Sequence, residues 1–312
     1  MNTNVALIII HNHKYVDNIE ILELVYHERF SNIFHLMPFY AGDKPNVISV
    51  YENSRYFEGY IAQGSARYLR GGISHYFFIA DDLILNPVIN EKNYTEHFKL
   101  NEDASFLSSY KNLHEQVVWW SKVAEAYEYR SNKLGVEAEK ELPSYNEALE
   151  CFKRFNLVLK PLSFNQIYKK ESISLQTFVS KAQAMTLLGY LLRKLESILR
   201  KETYNLTYPL VGSYSDISIV SSNIIRPFCH YCGVFAATDL FAELALPTAL
   251  VLSATNIVTE KDLRLHGKSM WTSEDYKEIL KYDNKLKLLL SDFPENYIYL
   301  HPIKLSKWDT RI

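Results

Sequence analysis

Cysteine is scarce in this chain, with three residues (Cys151, Cys229 and Cys232) among 312. Three thiols cannot form a disulfide framework, and their number fits a reducing compartment. Cys229-x-x-Cys232 has no second pair to complete a four-ligand zinc site. Glycine is scarce too, at ten residues, and none belongs to a G-x-x-x-x-G-K-[ST] or G-x-G-x-x-G loop. Those absences weigh against a kinase and against a nicotinamide-dependent dehydrogenase. A G-x-S-x-G nucleophile elbow is also missing. Neither charge sign dominates, since the formal net charge is -2 and the pI is near 6.6. With no basic stripe, nucleic acid is not expected as a partner. The longest apolar tract, Leu240 to Ala254, carries Glu243 and Pro247 and falls short of the ~20 residues of a membrane span. Met1-Asn2-Thr3-Asn4 lacks a basic start, and Val5 to Ile10 is too short for a signal sequence. A cytoplasmic protein is expected, and a lipid-linked substrate at the inner face of the membrane, met by peripheral contact, is compatible with this composition.

What the chain has is apolar and aromatic. Hydrophobic residues make up 47%, enough for a sizeable core, and the 23 tyrosines are well suited to sugar- or nucleobase-facing surfaces. Val5 to Ile10 is a β-branched run of the kind found in central strands, and it ends on the polar loop His11-Asn12-His13-Lys14. Ile19, Leu22 and Val25 share one helical face, with Asp17 or Asn18 available as its cap. Residues 33–39 and 46–51 read as strands. Residues 56–69 read as a helix ended by Gly71-Gly72, and Tyr76 to Ile79 as another strand. That alternation predicts an α/β fold with a mostly parallel sheet.

The character changes from residue 103 to 201. Helices are expected over 108–130, 144–155 and 175–201, the last carrying a stripe from Phe178 to Leu199 that suits packing. Residues 137–141 suit a solvated loop or helix end. The block reads as a helical insertion separating a first part, 1–102, from a third, 202–312. In the third part β character resumes over 208–220. A helix over 240–246 is expected to stop before Pro247, with 248–252 either strand or continued helix, and a late strand covers 297–300.

The chemistry concentrates where strands end. The run Tyr76 to Ile79 stops on the adjacent carboxylates Asp81 and Asp82. Like charges this close raise each other's pKa, and a hard divalent cation relieves them. In a parallel sheet His11, Asn12 and His13 end on the same edge, so a nucleotide could sit between them and the two carboxylates. Asp216, beside a Gly turn and an apolar strand, is a candidate general base for a reaction that inverts configuration, or an acceptor-binding residue for one that retains it. Tyr214, His230 and Tyr231 could line an acceptor site.

An N-terminal strand followed about 75 residues later by a strand ending in acidic residues resembles the DxD motif of GT-A fold glycosyltransferases. The resemblance covers the first hundred residues and, more loosely, 205–308. Here the motif is Ala80-Asp81-Asp82, with its first acid missing. It implies a GT-A-like, Rossmann-like sheet with helices on both faces and a helical insertion. It also implies Mn²⁺ or Mg²⁺ held by Asp82 with help from Asp81, and a nucleoside diphosphate sugar, UDP-linked by expectation, as donor. His301-Pro302-Ile303-Lys304-Leu305-Ser306-Lys307-Trp308 is similar to the closing His-x-x-Gly-x-x-Lys-Pro-Trp element of retaining members. His301 and Lys307 keep its spacing, Lys304 replaces the Gly, and Trp308 comes one place early. By that likeness His301 completes the metal site and Lys307 meets the diphosphate, with His266 of His266-Gly267-Lys268-Ser269-Met270-Trp271 as the alternative. The activity implied is transfer of a hexosyl group to a hydroxyl of a glycan or glycolipid, as in polysaccharide biosynthesis. A sugar-phosphate nucleotidyltransferase is the first alternative, although it should carry a Gly-rich loop after the first strand. A non-catalytic sugar-binding or scaffold protein is the second.

Overall fold

The computed structural model describes residues 4–115, 120–133, 135–167, 195 and 203–312. The expected helix 175–201 and its stripe lie outside the described residues, apart from Leu195. The strands in chain order are β1 (Asn4–Ile10), β2 (Asn32–Pro38), β3 (Val47–Val50), β4 (Ile73–Ala80), β5 (Ile84–Leu85) and β6 (Ala104–Leu107). They continue with β7 (Leu162–Ser163), β8 (Thr203–Tyr204), β9 (Ile217–Ser221), β10 (Asn256–Thr259), β11 (His266–Ser269) and β12 (Tyr297–His301). Seven of these form the main sheet, in the order β10-β6-β9-β4-β1-β2-β3. Within it β1, β2, β3 and β4 run parallel to one another, as do β6 and β10, and β9 runs antiparallel to both β4 and β6. The fold is therefore α/β with a mixed, mostly parallel sheet.

Parallel strands inside such a sheet are covered on both faces, so they read as unbroken apolar runs. In β1 every residue from Val5 to Ile10 is buried. Ala6, Ile8 and Ile10 enter one core together with Tyr60 and Ile61 of helix α2 (Phe57–Tyr68), Phe228 and Leu244. Val5, Leu7 and Ile9 enter the opposite core with Leu22 and Tyr26 of helix α1 (Asp17–Tyr26) and Ile298. Helices thus cover both faces. Burying each large aliphatic side chain is worth roughly 1.5–3 kcal/mol, so this strand anchors both layers.

Several local expectations are corrected. Helix α1 has no side-chain cap, and its N-cap position is Val16. Asn18 instead directs its amide to Asp81, 3.3 Å away, a stronger use because that carboxylate is buried. Ahead of the expected helix 108–130, the block starting at 103 opens with β6, a strand of the main sheet. Over 108–130 the described helix is confined to Trp120–Glu128, after a short 3-10 turn at Leu113–Glu115. The helix near Pro247 runs on to Ser253. Pro247 lacks the N–H that would bond the Glu243 carbonyl four residues back, and that carbonyl accepts the Ser213 N–H instead, at 3.0 Å. The break in the ladder is filled from outside the helix. Residues 138–141 form one helical turn. Helix Tyr145–Arg154 matches expectation, with Ser144 and Glu147 closing a capping box.

Candidate functional site

The chain passes from β1 through β2 and β3 to one side, then crosses to β4 on the other side of β1. The carboxyl ends of β1 and β4 therefore flank a switch point, where open α/β sheets bind ligands. Asp81 and Asp82 sit there. The Asp81 N–H continues the ladder by donating to the Ile10 carbonyl (2.9 Å). The two carboxylates then part company.

The Asp81 side chain turns toward β1. It accepts the Asn12 backbone N–H at 3.2 Å and the Asn18 amide at 3.3 Å, and His11 Nδ1 lies 3.6 Å away. His11 is fully buried, so it meets Asp81 from behind and offers no surface to a ligand. His13 is exposed in the same loop, its ring edge-on to Tyr15.

Asp82 turns the other way. Its carbonyl accepts the Ile303 N–H, and β12 pairs antiparallel with β5, just past Asp82. This pairing delivers His301, the last residue of β12, with Nε2 3.2 Å from Asp82 Oδ1. The same nitrogen is 3.4 Å from Oδ1 of Asp216. Asp216 precedes β9, and because β9 is antiparallel its start lies at the carboxyl edge of β4, where the Asp216 carbonyl accepts the Ala80 N–H (2.9 Å). Burial pushes the Asp216 carboxyl above the ordinary range, His301 pulls it down, and Asp82 adds to the rise. Burial alone would depress His301, but Asp82 and Asp216 outweigh it and raise its pKa.

Around this cluster lies a rim that is aromatic and charged. Trp271 is 61% exposed, stacks on Tyr214 at 6.2 Å and stands edge-on to His301 at 6.1 Å. Lys111 Nζ is 5.0 Å from the centre of the Tyr214 ring, and Lys122 Nζ 3.3 Å from that of Phe241. Burial pushes the Glu243 carboxyl up to about 7; Lys122 opposes the rise, and Asp216 adds to it.

The sequence-derived candidates divide accordingly. Asp82, Asp216 and His301 come together, Asp81 and Asn12 adjoin them at the end of β1, and Tyr214 joins through Trp271. His266 pairs with Tyr297 at the far end of β11, while Ser269 pairs with His301, so His301 rather than His266 reaches Asp82. His230 and Tyr231 do not reach the edge. His230 Nε2 lies 3.1 Å from the Glu141 carbonyl, and Tyr231 lines a separate cleft with Glu147 and Cys151. Lys307 is exposed in a 3-10 turn after β12. Trp271 was visible in the His266–Trp271 element, but Glu243 and Lys122 stand in helical stretches without any motif.

Would a divalent cation fit? Asp82 Oδ1 is buried and meets His301 Nε2 at 3.2 Å as an ion pair, without the geometry of a hydrogen bond. Two donors about 2.1 Å from one ion and at right angles stand about 3 Å apart, close to the 3.2 Å between Asp82 and His301. Among the described residues, no three His, Cys, Asp or Glu side chains are arranged to hold an ion by themselves. Asp82 and His301 therefore fit as part of a shell that phosphate and water complete, the usual arrangement for Mg²⁺. No helix among the described residues is long and apolar enough to cross a membrane. By sequence, no protein-family model and no curated protein matches this chain.

Proposed function

We propose that this protein is a metal-dependent glycosyltransferase of GT-A-like organisation, moving a sugar from a nucleoside diphosphate donor to a hydroxyl of a glycan or glycolipid. The observation that carries the reading is His301 Nε2 facing Asp82 and Asp216 at 3.2 and 3.4 Å. Those residues come from three distant segments and meet at the switch point of a mostly parallel sheet. Asp82 and His301 would hold Mn²⁺ or Mg²⁺, which when bound neutralises charge on the diphosphate. Asn12 and His13 border the donor, and Asp81 fixes the loop that carries them. Asp216, whose carboxylate burial makes more basic, accepts the proton of the attacking hydroxyl. Trp271 and Tyr214 offer ring faces to an acceptor sugar. Lys307 brings an ammonium toward the departing diphosphate.

Calorimetry of UDP binding with and without Mn²⁺, on the parent and on Asp82→Asn, tests the reading. Mn²⁺-dependent binding that Asp82→Asn abolishes supports it. If folded protein binds neither UDP nor GDP under any of these conditions, the donor site is lost and a sugar-binding or scaffold role takes its place.

A further inference from the structure

Behind Asp81 runs a buried chain of ring nitrogens that the proposed chemistry does not use. His11 Nε2 and His35 Nδ1 are 3.0 Å apart, a hydrogen bond between two fully buried rings. The outer nitrogen of each ring faces a carboxylate. His11 Nδ1 is 3.6 Å from Asp81 Oδ2, and His35 Nε2 is 3.6 Å from Glu23 Oε1. Neither outer nitrogen has a hydrogen-bond partner, since both carboxylates lie just beyond hydrogen-bond distance. Burial, with His11 and Lys44 adding to it, depresses His35 to about 3, so its ring is neutral.

With one proton on each ring, the pair carries two N–H groups. One lies in the bond between the rings. The other points either inward at Asp81 or outward at Glu23, and the direction of the shared bond sets which. Glu23 is about a third exposed and already accepts the Asn46 amide at 2.6 Å, so water screens it. The Asp81 side chain is 5% exposed, and a bare nitrogen lone pair aimed at it would repel in a low-dielectric site, where repulsion is strongest. The inward arrangement costs less. His35 then donates from Nδ1 to His11 Nε2, and His11 turns its own Nδ1–H toward Asp81.

We infer that His11 and His35 are a positioning pair that gives Asp81 an N–H from behind, holding its carboxylate against the loop at the end of β1. The Asn12 N–H and the Asn18 amide complete the set. The pair touches no ligand and acts through Asp81. Its effect on the donor loop rests on the glycosyltransferase reading, whereas the tautomers do not.

Nitrogen-15 NMR of histidine-labelled full-length protein reads the tautomers directly. The expected result is Nδ1–H on both rings. Asp81→Leu removes the inner acceptor and should turn both rings to Nε2–H, toward Glu23. Glu23→Gln, a surface change that keeps the protein folded, should leave both rings as they are. Nε2–H rings in the parent, a doubly protonated ring near neutral pH, or a flip caused by Glu23→Gln would each overturn the inference. So would unchanged rings in folded Asp81→Leu. UDP titration with Mn²⁺ then reads the consequence. In His35→Asn the amide nitrogen replaces Nδ1, and affinity should stay within about twofold. In His35→Gln that donor is lost, and affinity should fall about tenfold. Equal affinities in the two variants would overturn the positioning role. A parent that binds no UDP would end the donor reading and leave the tautomer result to decide the pair.

Discussion

Glu243 shows how a single side chain can be tuned by surroundings its own segment does not supply. Its carboxyl is raised from 4.5 to about 7, first by burial, with Asp216 and Glu125 adding to the effect of burial and Lys122 and Lys111 opposing it. Between these two values the folded state holds a proton that the unfolded state has released. Unfolding free energy therefore falls as pH rises through that window. Glu243→Gln removes this contribution. Urea midpoints at about pH 5 and pH 8 should show a shallower decline in the variant than in the parent, with its advantage at the higher pH. An unchanged slope would mean that the carboxyl titrates normally. Asp216 shares this environment, so a neutral Glu243 also removes one negative neighbour from the proposed base.

At the scale of elements, close approach and capping decide the effects of substitution. Helix α2 crosses β2 at Gly64, where an added Cβ would come 2.5 Å from Leu36 Cδ2. Alanine gains up to about 1 kcal/mol of helix propensity over glycine, but overpacking costs about 1–3 kcal/mol. Since Leu36 is fully buried and has little room to move, Gly64→Ala should be net destabilising. Thermal melting of the variant checks the sign. Helix Tyr145–Arg154 gives the opposite case, because its start is defined locally by the capping box of Ser144 and Glu147. Ser144→Ala should cost about 1 kcal/mol, read from the denaturation midpoint, and should leave UDP affinity unchanged. The uncapped start of α1 is the counterpart, since Asn18 serves Asp81 at the end of β4 rather than its own helix.

Across the whole molecule, the candidate site depends on the last strand of the chain returning to the segment after β4. Asn86 joins the two. Its N–H donates to the Ile298 carbonyl at 2.9 Å and its side-chain amide to the Tyr297 carbonyl at 2.8 Å. Asn86→Ala leaves the Tyr297 carbonyl without that donor, at a cost of about 1–3 kcal/mol. It should also loosen β12, which carries His301. Two effects are expected together, a lower melting temperature and weaker Mn²⁺-dependent UDP binding, although Asn86 lies outside the cluster formed by Asp82, His301 and Asp216. Loss of stability with full affinity would show that His301 is held by its other contacts, such as the Met270 N–H on its carbonyl.

The apolar runs of β1 and β4, the apolar face of α1 and the helices at 57–68 and 145–154 are legible in the chain itself. Burial on two sides, one-sided burial and the glycines that end a helix each leave a periodic or local imprint. Asp81, Asp82, Asp216 and His301 were legible as strand-end polar residues for the same reason. Their division of labour was not. Adjacent carboxylates look alike in a sequence, yet Asp81 faces His11 and Asn18 while Asp82 faces His301. Sheet order, the antiparallel course of β9 and the return of β12 decide that, and all three are pairings between residues far apart in the chain. The same holds for β6, whose four residues lie ahead of a helical stretch, and for the helix that continues through Pro247 because Ser213 takes the freed carbonyl. Local sequence determined which segments could be strands or helices. Tertiary structure decided which polar groups meet, because a buried charge or carbonyl is satisfied by whatever partner the fold brings to it.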